Sequence, residues 1–136
     1  MKTVNIGLIG FGTIGTGVVK AIVSRNSFIK NKKGISLELS RIADKDLKRK
    51  RAVNVSKSKF TNDVKMVLED PCIDIVVELV GCIHPAKEFV LRALNNGKHV
   101  VTANKALLAD SGKEIFEAAR RNGVTVKFEA SVGGGI

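Results

Sequence analysis

The feature that most constrains the fold is a glycine-rich turn that directly follows a short apolar run at the start of the chain. Val4–Ile9 is mostly apolar, glycines follow at positions 10, 12 and 15, and the next residues have helical periodicity. A strand that enters a helix through such a turn is the fingerprint of a dinucleotide-binding unit. In this pattern Gly10 permits the tight turn, Gly12 lets the backbone approach a diphosphate, and Gly15 lets the helix pack near the strand. The alternative is a turn that serves only packing.

The turn predicts a set of cofactor-binding residues. A diphosphate would lie on free N–H groups at the helix N-terminus, where the helix dipole favours negative charge. We therefore expect it to be held by the consecutive residues Gly10, Phe11, Gly12, Thr13, Ile14 and Gly15.

Length and composition indicate one globular domain. The chain has 136 residues, 44% of them hydrophobic, and only two prolines, which argues against disorder. No apolar run reaches the ~18 residues that span a bilayer, and no export signal begins the chain. We expect a cytoplasmic protein without a membrane partner. Cys72 and Cys82 form no metal-ligand pair and are too far apart along one strand to bond, which predicts buried or half-buried free thiols.

The formal charge of +10 raises the question of nucleic-acid binding. Much of it lies in one stretch, with Arg41, Lys45, Lys48, Arg49, Lys50, Arg51, Lys57 and Lys59. The chain has no recognisable nucleic-acid motif and no Trp or Tyr to stack on bases, so we expect no nucleic-acid partner. The stretch is either a solvated lysine-rich surface or contributes one or two contacts to a ribose phosphate.

Strand and helix patterns alternate along the chain, which predicts an α/β fold with a doubly wound parallel sheet of the Rossmann type. We expect six strands, at Thr3–Ile9, Ile35–Ala43, Phe60–Thr61, Ile73–Val80, Lys98–Thr102 and Val124–Glu129. Helices are expected at Thr13–Ser24, Asp63–Glu69, Pro85–Asn96 and Asn104–Asn122. Between them, Arg25–Gly34 is expected to be a polar connection and Asp44–Lys59 a basic loop.

Ligands of such sheets bind beyond the carboxyl ends of the strands, where the chain has several polar residues. Asp44 follows the second strand, and an acidic residue there can accept hydrogen bonds from the adenosine ribose. Its large distance from the glycines is attributed to the Arg25–Gly34 connection. Lys45 could neutralise a 2′-phosphate, so the choice between NAD and NADP stays open. Gly81 follows the fourth strand, either in a buried turn or beside the cofactor.

Thr102 ends the fifth strand, and Lys105 begins the helix after it. Because polar side chains at the carboxyl end of a strand point toward the ligand crevice, we expect both to contact the cofactor. Lys105 could anchor an anion or polarise a carbonyl oxygen. The helix dipole disfavours a solvent lysine in a first turn, which favours a functional role. The chain ends in Ser131–Ile136, which is either a flexible linker or a glycine-rich bend whose carbonyls face a hard cation.

These segments together resemble homoserine dehydrogenase. The resemblance covers the chain from end to end and is carried by Gly10–Gly15, Ile75–Gly81, Gly97–Ala109 and Glu129–Ile136. It implies an NAD(P)-dependent oxidoreductase that interconverts L-aspartate 4-semialdehyde and L-homoserine by hydride transfer, in the biosynthesis of threonine, methionine and isoleucine.

The resemblance also implies site roles. Lys105 matches the family lysine that lies beside the nicotinamide and the substrate. The family's monovalent cation, usually sodium, is held at positions that match Glu129, Val132, Gly134 and Ile136. Here Gly133, Gly134 and Gly135 form a run in which family members often have an alanine.

On this resemblance, residues 1–136 are the NAD(P)-binding domain of the enzyme. In the family a substrate domain follows and supplies most substrate contacts, the lysine and aspartate of proton transfer, and the main dimer contacts. We expect the chain alone to be inactive, with Lys105 as its catalytic residue, and the full-length enzyme to be a homodimer that acts on a small molecule. One alternative is an NAD(P)-sensing module without catalysis, and another is a related semialdehyde dehydrogenase.

Overall fold

The structure is a computed structural model that describes residues 2–46 and 55–128. Its strands are β1 (Lys2–Ile9), β2 (Ile35–Ala43), β3 (Phe60–Thr61), β4 (Ile75–Glu78), β5 (His99–Thr102) and β6 (Val126–Lys127). Its helices are α1 (Thr13–Lys33), α2 (Lys65–Leu68), α3 (Ala86–Asn95) and α4 (Lys105–Arg121). One 3₁₀ turn, Lys57–Lys59, precedes β3.

The six strands form one parallel sheet in the order β3-β2-β1-β4-β5-β6. The chain runs outward from β1 to β3, crosses back to β4 beside β1, and continues outward to β6. This confirms the predicted doubly wound sheet. The direction of winding reverses between β1 and β4, and in open α/β sheets that reversal marks the crevice where ligands bind.

Helices cover the two faces of the sheet unequally. Along β1, Leu8 packs in a cluster with Val19 of α1, whereas its neighbour Ile9 packs in another cluster with residues of α2, α3 and α4. Because successive side chains of a strand point to opposite faces, α1 lies on one face and α2–α4 lie on the other. Val101 of β5 points to the α1 face and is 38% exposed, so the helices described leave that part of the sheet partly uncovered.

Helix α1 is longer than predicted, and the expected polar connection Arg25–Gly34 is wrong. The helix continues to Lys33 and ends at Gly34, which has the left-handed conformation (φ 67°, ψ 24°) and donates its N–H to the Lys30 carbonyl. Nothing in residues 25–33 breaks a helix, and the lysines of the last turn are favoured by the helix dipole. The polar composition therefore reflects exposure to solvent, and the helix itself accounts for the distance between the glycines and Asp44.

The remaining boundaries agree within a few residues. The predicted strand Ile73–Val80 is ordered as β4 only from Ile75 to Glu78. Of the predicted strand Val124–Glu129, Val126–Lys127 form β6, and Glu129 lies outside the described residues. Both cysteines are free as expected, but they are exposed, so the prediction of buried thiols is wrong. They lie just outside the two ends of β4, in a turn and a loop that the core does not cover. No helix of the described residues is both long and apolar enough to cross a membrane.

Candidate functional site

The residues predicted for cofactor binding converge on one edge of the sheet. Asp44 follows β2, the glycine turn follows β1, Gly81 follows β4, and Lys105 follows β5. Because the strands are parallel neighbours in the order β2-β1-β4-β5, their carboxyl ends form one continuous rim. This rim includes the point between β1 and β4 where the winding reverses.

The glycine turn is tightly packed against the end of β4. Gly10 has φ +93°, and a Cβ atom built on it would lie 2.9 Å from the Leu79 carbonyl oxygen. A Cβ on Gly15 would lie 2.6 Å from the Gly10 carbonyl oxygen. Both distances are too short for a real carbon contact, so only glycine fits at either position. The turn and the first helical turn therefore form a cradle that a side chain would fill.

The N-terminus of α1 presents unpaired donors to this cradle. Thr16 is the first residue whose N–H bonds within the helix, to the Gly12 carbonyl oxygen at 2.9 Å. No side chain caps the helix at Gly12, and its first turn holds no acidic residue. The N–H groups of Gly12, Thr13 and Ile14 thus have no acceptor among residues 2–46 and 55–128, and the dipole makes this end attractive to an anion.

Phe11 anchors the glycine turn in the core, unlike the other turn residues predicted to hold the diphosphate. Its ring is fully buried and packs at 5.5 Å, centroid to centroid, against the Phe60 ring. Its N–H donates to Asp44 Oδ2 at 2.5 Å. Phe11 therefore anchors the turn in the core, and the N–H groups that follow it remain for a ligand.

Asp44 connects the end of β2 to the glycine turn. Besides the Phe11 bond, its Oδ1 accepts the N–H of Asp46 at 2.8 Å, and its own N–H donates to the Thr61 carbonyl at 3.0 Å. A carboxylate accepts hydrogen bonds at both of its oxygens, which is the chemistry that ribose hydroxyl donors require. The carboxylate is partly exposed and is held in a fixed position beside the turn.

The two predicted cations, Lys45 and Lys105, are both exposed. Neither makes a hydrogen bond or ion pair that engages its ammonium group with the described part of the chain. Lys105 is the first residue of α4, at the end of the helix dipole that disfavours a cation. Its ammonium group is therefore available to an anion or a polar oxygen at the rim.

Thr102 differs from its predicted role. Its side chain is 1% exposed, and its hydroxyl donates to Glu78 Oε1 at 2.6 Å while accepting the Asn104 N–H at 3.0 Å. The hydroxyl is therefore used inside the fold and is not the group that a cofactor would contact. Sequence reasoning did not identify Glu78 and Asn104 as the partners of this hydroxyl. The available signal was the position of Glu78, an acidic residue inside the apolar run Ile75–Val80.

An apolar depression of about 370 Å³ opens at the rim beside the turn. It lies on the α1 face of β4 and β5, next to the glycine turn. Its lining residues are mostly aliphatic: Ile14, Val18, Val77, Leu79, Val101, Thr102, Ala103 and Lys127. Such a surface suits a flat, weakly polar ring better than a phosphate.

The predicted cation site lies outside the described residues, since it comprises Glu129, Val132, Gly134 and Ile136. The same holds for the basic residues 48–51 of the lysine-rich stretch. Between residues 2 and 46 and between 55 and 128, no cluster of His, Cys, Asp and Glu could hold a metal ion.

Comparison with known proteins gives a consistent match. The family model described as the homoserine dehydrogenase NAD-binding domain matches residues 10–129. The homoserine dehydrogenases of Bacillus subtilis and Pseudomonas aeruginosa are 41% and 44% identical over 136 residues, which are 100% of this chain and 31% of each relative. The crystal structure of S. aureus homoserine dehydrogenase at pH 8.5 superposes with a TM-score of 0.91 at 43% identity, covering 97% of this chain and 33% of that one. The chain thus spans about a third of the length of the relatives it matches.

Proposed function

The chain belongs to the family of homoserine dehydrogenase NAD-binding domains, and from this we propose that residues 1–136 bind NAD(P) as the cofactor domain of a homoserine dehydrogenase. The observation that carries the proposal is the cradle at the end of β1. There the glycines exclude side chains, and unpaired N–H groups of α1 lie on the same rim as Asp44 and Lys105. A module that only senses the cofactor is the less favoured alternative.

The residues present fit a nicotinamide dinucleotide. The diphosphate would be held by the N–H groups of Gly12, Thr13 and Ile14, and the adenosine ribose by Asp44. The aliphatic depression beside Ile14 offers an apolar surface for the nicotinamide ring. Gly81 follows β4, which lines the depression, and is proposed to approach the cofactor through its backbone. When bound, the cofactor supplies the hydride donor or acceptor of the reaction. The chain itself supplies binding, orientation and a cation.

Lys105 is proposed to hold the substrate or its reacting oxygen beside the cofactor. A free ammonium group at the rim can stabilise negative charge that develops on a carbonyl oxygen as it becomes an alkoxide. Proton transfer is proposed to depend on residues outside this chain. The proposed substrates of the complete enzyme are L-homoserine and L-aspartate 4-semialdehyde.

The finer parts of the proposal concern assembly and ions. We propose a homodimeric, cytoplasmic enzyme with no nucleic-acid or membrane partner, and a sodium ion held at Glu129, Val132, Gly134 and Ile136. The resemblance of the C-terminal segment to the family supports the ion, and the absence of stacking Trp and Tyr supports the lack of a nucleic-acid partner.

The cofactor is tested by titrating the chain with NADH and NADPH. Because the chain has no Trp or Tyr, the fluorescence of the reduced nicotinamide can be followed without interference from the protein. We expect saturable binding at submillimolar concentration. A folded sample that binds neither cofactor at millimolar concentration would contradict the proposal.

The activity is tested in a chimera in which this chain replaces the equivalent first third of the Bacillus subtilis enzyme. We expect homoserine-dependent reduction of NAD or NADP. Lys105→Met should lower kcat/KM by about 10²-fold, the usual effect of removing one electrostatic stabiliser, and Lys113→Met, an exposed lysine of α4, should leave it unchanged. A folded chimera without turnover, or equal kinetics for the two variants, would argue against the assignment.

A further inference from the structure

A buried carboxyl group lies at the centre of the rim. Glu78, the last residue of β4, is 0% exposed. In register it is paired with Ile9 of β1 on one side and Thr102 of β5 on the other. Among the described residues, no lysine, arginine or histidine forms an ion pair with it. Burying a carboxyl group without a cation is costly unless hydrogen bonds replace its hydration. The partners of Glu78 therefore matter.

Both oxygens of Glu78 accept hydrogen bonds from groups that shape the site. Oε2 accepts the Val80 N–H at 2.6 Å, in the loop that follows β4. Oε1 accepts the Thr102 hydroxyl at 2.6 Å, at the end of β5. One side chain therefore joins the ends of two neighbouring strands.

The bonds continue from Thr102 into a closed ring. Thr102 Oγ1 accepts the Asn104 N–H at 3.0 Å, and Asn104 Nδ2 donates to the Cys82 carbonyl at 2.6 Å. Cys82 lies in the same loop as Val80, so the ring returns to its start. Asn104 Oδ1 also accepts the Leu107 N–H at 3.0 Å and caps α4. The ring thus fixes both the loop after β4 and the helix turn that carries Lys105.

The same ring reaches the glycine turn through the Leu79–Val80 peptide. A Cβ on Gly10 would lie 2.9 Å from the Leu79 carbonyl oxygen and 3.3 Å from the Val80 nitrogen. That nitrogen is the group whose N–H Glu78 holds. Movement of this peptide would therefore push on the turn directly.

We propose that Glu78 is a positioning residue for the cofactor site: its carboxyl group, through Val80 on one side and Thr102–Asn104 on the other, sets the glycine turn and the start of α4 at the spacing that a dinucleotide requires. The inference rests on the proposed function. Glutamine does not substitute, because it has one acceptor oxygen and its amide nitrogen can only donate, whereas the ring needs an acceptor at both positions. Disturbing the ring weakens NADH and NADPH equally, since the 2′-phosphate would lie at the far end, by β2.

The test compares four variants of the chain. Glu78→Gln removes one acceptor, Thr102→Val removes the hydroxyl at nearly constant shape, and Thr102→Ser restores the hydroxyl. Glu117→Gln, an exposed glutamate of α4, is the matched control. For each variant, Kd values for NADH and NADPH are measured under conditions in which its unfolding curve shows a folded chain. Amide hydrogen exchange without cofactor is measured at Val80 and Asn104.

We expect Glu78→Gln and Thr102→Val to weaken both cofactors by about tenfold, the equivalent of one hydrogen bond to a charged group, and to speed exchange at both amides. Thr102→Ser and Glu117→Gln should stay within about twofold of the parent chain, as the small effects of surface or conservative changes predict. If Glu78→Gln does not fold, the inference is tested by comparing the cofactor affinities of Thr102→Val and Thr102→Ser.

Three results would overturn the inference while leaving the proposed function intact. These are unchanged affinity in the folded Glu78→Gln and Thr102→Val variants, equal losses in Thr102→Val and Thr102→Ser, and a loss confined to NADPH. If the parent chain itself binds neither cofactor, the proposed function fails and the inference fails with it.

Discussion

At the scale of single residues, the structure separates those that offer contacts to a ligand from those that build the site. Lys45 and Lys105 keep their ammonium groups in solvent, whereas Phe11 and Thr102 are buried. The sequence predicted all four as site residues only from their positions in the glycine turn or after a strand. Whether a side chain faces the crevice or the core depends on its neighbours in space, such as Phe60 for Phe11 and Glu78 for Thr102.

Gly10 gives the sharpest prediction at this scale. Gly10→Ala should lower the free energy of unfolding by about 1–3 kcal/mol, because it combines a positive φ with a forced contact at Leu79. Gly17→Ala is the matched control, since a Cβ at that position would meet nothing within 4 Å. The change replaces a glycine inside a helix by alanine, which should raise the free energy of unfolding by about 0.5–1 kcal/mol. Denaturant unfolding measures both. Equal effects of the two changes would show that the turn is not constrained.

The burial of Lys98 leads us to predict that the stability of the chain depends on pH. Its side chain is 3% exposed, and its ammonium group donates to the carbonyl oxygens of Ile73, at 3.0 Å, and Asp70. Burial lowers the pKa of this group from 10.5, although the carboxylates of Asp70 and Asp74 oppose the effect.

Because the pKa of Lys98 is lower in the folded chain, the unfolded chain binds more protons in the pH interval just below 10.5. Stability conferred by this group therefore rises with pH across that interval. We expect the free energy of unfolding of the parent chain, minus that of Lys98→Met, to increase as the pH approaches 10.5. Denaturant unfolding at a series of pH values tests this, and a difference that falls with pH would contradict the lowered pKa.

At the scale of elements, the sequence located each described strand and helix to within a few residues, except for the end of α1. The strand Ile35–Ala43 is observed with its predicted bounds, because apolar residues alternate with polar ones along most of its length, as is typical of a half-buried strand. Helix α1 was predicted to end at Ser24 but extends to Lys33. Its last turns touch little of the core, so they show no apolar stripe, and only the absence of a helix breaker before Gly34 indicates that they continue.

The length of α1 is tested at Ser27, an exposed residue in its interior. Ser27→Pro should lower the free energy of unfolding by about 3 kcal/mol, because proline removes a helical hydrogen bond and clashes with the preceding turn. Ser27→Ala, the control, should be neutral or slightly stabilising, since alanine favours a helix. A chain that tolerates the proline as well as the alanine would favour the polar connection over the helix.

At the scale of the whole molecule, the proposed ligand contacts the ends of strands that are distant in sequence. The turn follows β1, Asp44 follows β2, and Lys105 follows β5. These positions come together only when the complete sheet has formed. Cofactor binding should therefore be coupled to global unfolding rather than to the order of one loop.

This coupling predicts the size of a ligand-induced stabilisation. Free NADPH at 100 times its Kd should raise the free energy of unfolding by about 2.7 kcal/mol if it binds only the folded chain. Thermal or denaturant unfolding at several cofactor concentrations measures the effect. A free energy of unfolding that rises with the logarithm of cofactor concentration supports binding to the folded sheet. A midpoint that does not move at saturating cofactor contradicts it.

The sequence by itself determined the fold class, the strand positions and the turn, because glycine spacing and apolar periodicity are local properties that a chain displays without folding. It also placed Asp44, Gly81 and Lys105 after strands, and parallel pairing then brought them to one rim. Tertiary structure alone decided that Phe11 and Thr102 are internal, that α1 extends to Lys33, and that Glu78 joins two strand ends. Whether a side chain is buried, and which groups it bonds to, depends on residues that are far apart in the chain, so a local sequence pattern cannot predict it.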